Sequence, residues 1–362
     1  MSAPSTARSR GLPSLALRRA AAALLLATLV ALPFAVLYRA AVSRSQKESW
    51  GWDSLPSVAA SEEEEEGPEA DGLDSEDLKL EQVLNKASMG DNTVILTTLN
   101  DAWSSPGSVM DLFMDSFRSG VKTSFLLKHL VIVTFDWKAY KHCVKIHPHC
   151  FAFGTEGVDF SEEKRFLTSG YLEMMWTRLD FLRLVLEKGY NFIFTDADIM
   201  WFRNPFPHFY PDGDFQIACD HYVGNSSDLR NIANGGFIYV KSNERTIEFY
   251  SFWYSSRFMY PGYHDQDVFN VIKHDPYITD IGLKIKFLST AYFGGFCEPS
   301  RDLNKVCTMH ANCCIELRSK IHDLRIMIED WRSYLSLPPN LKQLRALAWR
   351  VPQNCSLSSS HR

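Results

Sequence analysis

The run Phe192-Ile193-Phe194-Thr195-Asp196-Ala197-Asp198-Ile199-Met200-Trp201 constrains the fold of this chain more than any other stretch. A short apolar segment of this kind reads as a buried strand. Its abrupt end in two carboxylates one residue apart marks the carboxyl end of a parallel strand opening into a crevice, where open α/β sheets place their ligands. Hard oxygen donors in that position suit a divalent cation, Mn²⁺ or Mg²⁺, of the kind commonly shared with phosphate oxygens. Apolar sequence on both sides, with Tyr190 before the strand and Trp201-Phe202 after it, distinguishes the pair from a solvated charge run.

The surrounding pattern supplies the rest of such a sheet. Residues 94–99 read as a first buried strand, 109–117 carry helical apolar spacing after Ser108, and 129–135 read as a second strand. Together they form a βαβ unit. Residues 166–188 have helical spacing and stop at Gly189, directly before the strand that leads to Asp196. Beyond the acids, 214–219 and 235–240 read as short strands, and 243–258 as a helix opening on an Asn cap. Strands alternating with helices predict an α/β fold with a mostly parallel, doubly wound sheet and flanking helices.

The amino-terminal part has a different character. Residues 20–38 carry no charge over about nineteen positions, close to what a helix needs to cross a bilayer. Arg8, Arg10, Arg18 and Arg19 precede the run with no acid among them, which predicts a cytosolic tail at 1–19, a transmembrane signal anchor at 20–38 and a lumenal remainder. A cleaved secretory signal is the competing reading, and it leads to the same compartment. Residues 39–80, with the acid run Glu62 to Glu66, predict a flexible stem, and 81–362 the folded lumenal domain. All eight cysteines lie beyond the span, as expected where disulfides form. Cys143 and Cys150 bracket His147 and His149, which leaves open a local disulfide or a Zn²⁺ site. The sequons at Asn225 and Asn354 agree with a lumenal address. A formal net charge of -5 and the lack of a basic stripe interleaved with aromatics exclude nucleic acid as a partner.

If Asp196 and Asp198 hold a cation, four further features bear on the site. His310 offers an imidazole ligand. Asp265 and Gln266, in His264-Asp265-Gln266-Asp267, stand where a loop enters a helix, and Asn234-Gly235-Gly236 allows close backbone approach to a sugar or phosphate. Arg178, Arg183 and Lys320 are candidate phosphate partners.

These residues carry a family resemblance. Phe194 to Pro205, Leu-Thr-Thr-Leu-Asn-Asp at 96–101, Gly236 to Val240, His264 to Asn270 and Met309 to Cys314 resemble, in the same order, blocks of the plant nucleotide-diphospho-sugar transferases of family seventy-seven. The resemblance implies a GT-A, Rossmann-like fold, a UDP-linked nucleotide-sugar donor and a single-pass type II topology in the Golgi membrane. It also implies retaining transfer of a pentose such as arabinose or xylose to a cell-wall polysaccharide or glycoprotein, with Mn²⁺ or Mg²⁺ as cofactor. By position, Asp198 and His310 bind the metal. Asp196 belongs to the same metal site, touching ribose or a metal-bound water. Asp265 and Gln266 lie beside the reacting carbon as catalytic residues. Thr97, Asn100, Arg178, Asp196, Asn234 and Lys320 bind the donor. One departure is Glu316, which stands where related sequences often have Gly in the loop leading to Lys320. A phosphatase-like hydrolase using Asp196 as nucleophile and a catalytically silent lumenal binding protein are the competing functions. Chain order weighs against the hydrolase, because such a nucleophile normally follows the first strand of its domain.

Overall fold

The computed structural model describes residues 71–154, 160–164, 167–344 and 348–355. The tail and span expected at 1–38, and the stem as far as residue 70, lie outside the described residues. Among the described residues no helix is long and apolar enough to cross a membrane. Helix α1, Asp71–Ala87, includes residues that the sequence assigns to the stem. The reason is a stripe of Leu80, Leu84 and Ala87, spaced four and three apart, which is fully buried against the strands Leu130–Thr134 and Cys150–Ala152.

Seven strands form the main sheet: β1 Thr93–Leu99, β2 Leu130–Thr134, β3 Cys150–Ala152, β4 Asn191–Thr195, β6 Phe215–His221, β7 Ile232–Val240 and β8 Ile285–Phe287. Their order is β3-β2-β1-β4-β7-β6-β8. β3, β2, β1 and β4 are parallel neighbours, whereas β7 runs antiparallel to both β4 and β6. The sheet is therefore mixed, with β7 reversed among strands that otherwise run one way. Pleat alternation assigns its two faces. Ile95, Leu99, Ile132 and Ile193 join one apolar cluster with α2 Val109–Ser119 and α7 Leu317–Ser336. Val94, Leu96, Val131, Phe192 and Phe194 join the other, beneath α4 Ser169–Glu187, α5 Glu244–Ser256 and α6 Asp265–Ile272. The result is a three-layer α/β/α domain. Asn243 caps α5 as its sequence predicts, in a reciprocal capping box with Thr246.

A second sheet matters more for function. β5 Ile199–Trp201, β10 Thr308–His310 and β9 Phe293–Gly295 lie in the order β5-β10-β9. β10 pairs antiparallel with β5, setting His310 opposite Ile199.

Disulfides Cys143–Cys150, Cys297–Cys313 and Cys314–Cys355 staple the loops, while Cys219 and Cys307 are buried thiols. The first ties α3 Trp137–Ile146 to β3 and removes the Zn²⁺ alternative, since a disulfide offers no thiolate. His147 is likewise committed, its Nε2 lying 2.7 Å from the Leu130 carbonyl.

The carboxy-terminal segment docks through one carboxylate. Asp323 on α7 is fully buried and accepts backbone N–H bonds from Gln353, Asn354 and Cys355 at 2.9–3.1 Å. Burial alone would raise its pKa, but hydrogen bonds from His322 and those three amides outweigh burial and hold it below the usual range. A depressed carboxylate stabilises the fold above its unfolded pKa near 4, and that contribution disappears as pH falls through the lower folded value. Asp323→Asn should therefore cost about 2–3 kcal/mol at pH 7. Thermal melts from pH 7 down to 3 would check this, with the gap to wild type closing only below about pH 4.

Candidate functional site

The chain leaves β1 toward β2 and β3, then returns to place β4 on the opposite side of β1. Strand order thus reverses between β1 and β4, and a crevice opens at their carboxyl ends. A cavity of about 690 Å³ lies there, lined by Asn100, Trp103, Asp196, Asp198, His310 and Lys320 among others. β4 ends where the Asp196 N–H turns to the Gly236 carbonyl at 2.7 Å, and the Ile199 N–H closes a turn onto Asp196 at 3.1 Å. Register across the small sheet then delivers His310, and the Ala311 N–H fixes it by donating to the Asp198 carbonyl at 3.1 Å.

The three side chains converge. One ligand atom each from Asp196, Asp198 and His310 can lie within 4.8 Å of the others. His310 Nε2 is 3.2 Å from Asp198 Oδ1 and 3.9 Å from Asp196 Oδ2. Asp198 Oδ1 is buried and has no hydrogen-bond partner. A buried anionic oxygen that lacks a hydrogen bond is costly unless a cation faces it. Two carboxylates and an imidazole around it fit a divalent cation of intermediate hardness such as Mn²⁺.

Both carboxylates also meet cations of the protein. Lys320 Nζ donates to Asp198 Oδ2 at 2.7 Å. Arg178, on α4, donates to Asp196 Oδ1 at 2.9 Å and to Asp265 Oδ2 at 2.7 Å, with its guanidinium stacked 4.7 Å from the Phe194 ring. Burial would raise the Asp198 pKa, but Lys320 and His310 overcome it and hold the carboxyl far below its usual range. Burial dominates at Asp196, whose pKa is raised despite Arg178. At Asp265 burial again opposes ionisation, and Arg178 and His264 prevail, setting its pKa to about 2. Burial would lower the His310 pKa, yet the Asp198 and Asp196 charges raise it.

The far wall is built on a residue that sequence reasoning missed. Asp220, at the end of β6, accepts from the amides of Asn234 at 2.9 Å and Asn312 at 2.7 Å on Oδ1, and from Gln266 at 3.0 Å on Oδ2. Those bonds fix the amide orientations. Asn234 Oδ1 then accepts the Gly236 N–H and Gln266 Oε1 the Gly235 N–H, both at 2.9 Å. A Cβ on Gly236 would stand 2.5 Å from His310 Cε1 and 2.7 Å from Asp196 Oδ2, whereas one on Gly235 meets nothing closer than 3.8 Å. Gly236→Ala should displace both side chains and weaken the binding of a divalent cation by about 10–100-fold, the usual size of such perturbations around metal ligands. Calorimetry beside Gly235→Ala, which should bind normally, checks it.

Most residues expected at the site meet there. Asp196, Asp198, His310, Arg178, Asn234, Asp265, Gln266, Asn100 and Lys320 all line the cavity. Thr97 does not: its side chain is fully buried in β1, and the pleat turns its neighbour Thr98 to the cavity. Asn100 faces the cavity but already caps the turn at Asp101–Ser104 and donates to the Phe160 and Glu162 carbonyls. Arg183 lies elsewhere, paired with Asp180 and Glu187 on α4. The cap position of α6 falls to His264, and Asp265 is the first helical residue. Glu316 has φ −83°, an ordinary value that asks nothing of glycine, and Lys320 still reaches Asp198.

The model of the nucleotide-diphospho-sugar transferases matches residues 125–324. An uncharacterized protein of Arabidopsis thaliana is 52% identical over 282 residues, covering 77% of this chain and 74% of its own. A UDP-galactose:fucoside alpha-3-galactosyltransferase of Dictyostelium discoideum is 42% identical over 72 residues, 18% of this chain and 10% of its own. The solved structure of mouse xyloside xylosyltransferase 1 covers 61% of this chain and 98% of its own at 15% identity and a TM-score of 0.38, a likeness too distant to carry an argument.

Proposed function

The chain belongs to the nucleotide-diphospho-sugar transferase family and is a glycosyltransferase; on that premise we propose that it moves a sugar from a UDP-linked donor in a reaction dependent on Mn²⁺ or Mg²⁺. The convergence of Asp196, Asp198 and His310 at the β1/β4 switch point carries the reading. A divalent cation held there would offset the charge that develops on the departing diphosphate. Arg178 holds one oxygen of Asp196 and so fixes how that carboxylate faces the cavity. Asp220 sets Gln266 and Asn234 on the opposite wall, beside the space where the sugar would lie. We assign the GT-A class, a pentose such as arabinose or xylose, retention, and a cell-wall polysaccharide or glycoprotein acceptor from the resemblance of the ordered motifs. A Golgi address with a type II anchor at residues 20–38 is the companion proposal, supported by the charge pattern around that span.

The partial similarity to a protein named for UDP-galactose supports uridine as the nucleotide. The hydrolase alternative conflicts with the family. It also asks Asp196 to attack a phosphorus while its Oδ1 is tied to Arg178. A donor screen tests the proposal, measuring sugar release or transfer from UDP-arabinofuranose, UDP-xylose, UDP-galactose and UDP-glucose with and without Mn²⁺. Turnover of at least one donor, dependent on added metal, is expected. No turnover of any donor, together with no Mn²⁺-dependent binding of UDP, would support the catalytically silent reading instead.

A further inference from the structure

We propose that Lys320 is an exchangeable counter-charge for Asp198: it competes with a divalent cation for that carboxylate and moves to the diphosphate when nucleotide enters, so that cation and nucleotide bind cooperatively. The inference rests on the nucleotide-sugar reading of the site and concerns how the site fills.

Each acid of the pair already has a cationic partner, and the two partners are held very differently. Arg178 is buried, bridges Asp196 and Asp265 at 2.9 and 2.7 Å, and lies over the Phe194 ring. A planar fork with two ion pairs and a stacking surface cannot leave without stranding two carboxylates. Lys320 has one ion pair, 2.7 Å to Asp198 Oδ2, and its ammonium lies 5.1 Å from the Trp103 ring. It sits in the first turn of α7, on a flexible four-carbon stem, at the wall of the cavity. Of the two cations, Lys320 is the one able to move.

Charge balance gives that movement a purpose. The cluster holds three carboxylates, Asp196, Asp198 and Asp265, whose permanently charged partners are Arg178 and Lys320, with the imidazoles of His264 and His310 beside them. A divalent cation arriving alone meets Lys320 at close range and must share Asp198 with it. A diphosphate entering with the cation gives the ammonium a new anionic partner, and Asp198 is released to the metal site. Cooperativity of this kind is reciprocal, so UDP tightens Mn²⁺ by the same factor as Mn²⁺ tightens UDP.

Electron paramagnetic resonance of Mn²⁺ with the full-length chain, titrated with and without UDP, tests the idea without reference to turnover. Wild type should bind Mn²⁺ weakly alone and at least about tenfold more tightly with UDP, a typical coupling. Lys320→Met should bind Mn²⁺ alone about tenfold or more tightly than wild type, and the enhancement by UDP should shrink toward unity. Lys320→Arg, which keeps the charge, should stay near wild type for Mn²⁺ alone. Matching circular dichroism would show that each variant is folded, and Lys320→Gln, also uncharged, takes the place of the Met variant if that does not fold. Mn²⁺ binding by the uncharged variant no tighter than wild type, in a protein that still binds Mn²⁺ and UDP together, would overturn the proposal alone. A wild-type protein that binds neither would overturn the nucleotide-sugar reading and this proposal with it.

Discussion

Asp198→Asn should reduce sugar transfer at saturating Mn²⁺ by about a thousandfold or more, while lowering the melting temperature by only a few degrees. Asn keeps the shape of the side chain and an oxygen for the Lys320 ammonium, so the fold has little to rebuild. What it removes is the anionic oxygen that lies 3.2 Å from His310 without a hydrogen-bond partner. Asp196→Asn should be milder, about 10–100-fold. That carboxylate is 29% exposed against 1% for Asp198, and one of its oxygens already belongs to Arg178. Steady-state kinetics across a Mn²⁺ series, paired with UDP titration, would separate loss of metal from loss of chemistry. An unchanged rate for Asp198→Asn would eliminate the metal site.

The parts of this arrangement legible from sequence are those set by local pattern. A βαβ unit and the strand before Asp196 are visible because a buried strand is a continuous apolar run, and polar residues mark its end. Strand direction is not written in such a run. The reversal of β7 emerges only from the structure, because the strands read at 214–219 and 235–240 leave room for a parallel crossover, whereas the observed β6 and β7 are joined by about ten residues, which is short for one. Thr97 and Thr98 show a finer limit: adjacent strand residues face opposite sides, and only the register with β2 and β4 decides which of them meets the cavity. His310 reaches Asp198 through a three-residue antiparallel pairing between distant segments, so no local period announces it: the residues alone offer it only as one imidazole among several, and the motif resemblance gives it the ligand's role. Asp220 had no such advocate. Its role exists only because β7, α6 and the loop after β10 each turn an amide toward it.

Arg178 makes the strongest case that the site and the fold share one set of bonds. Arg178→Met should destabilise the domain by about 3–5 kcal/mol, because it leaves the Asp196 and Asp265 carboxylates without their shared cation. In a domain of this size that corresponds to a fall in melting temperature of roughly 10 °C. The loss should not be uniform in origin. Asp265 is 4% exposed and Asp196 29%, so water can resolvate Asp196 but not Asp265. Removing the charge at Asp265 as well should therefore recover much of the stability, and Arg178→Met with Asp265→Asn is expected to melt above Arg178→Met alone. Activity should stay low in both, since neither keeps Asp196 aimed at the cavity. Arg178→Lys should fall between, because one ammonium cannot form the two-pronged bridge at 2.9 and 2.7 Å. Thermal melts of the three variants decide the matter: a double variant no more stable than Arg178→Met would show that the cost comes from lost packing over Phe194 and not from the stranded carboxylates.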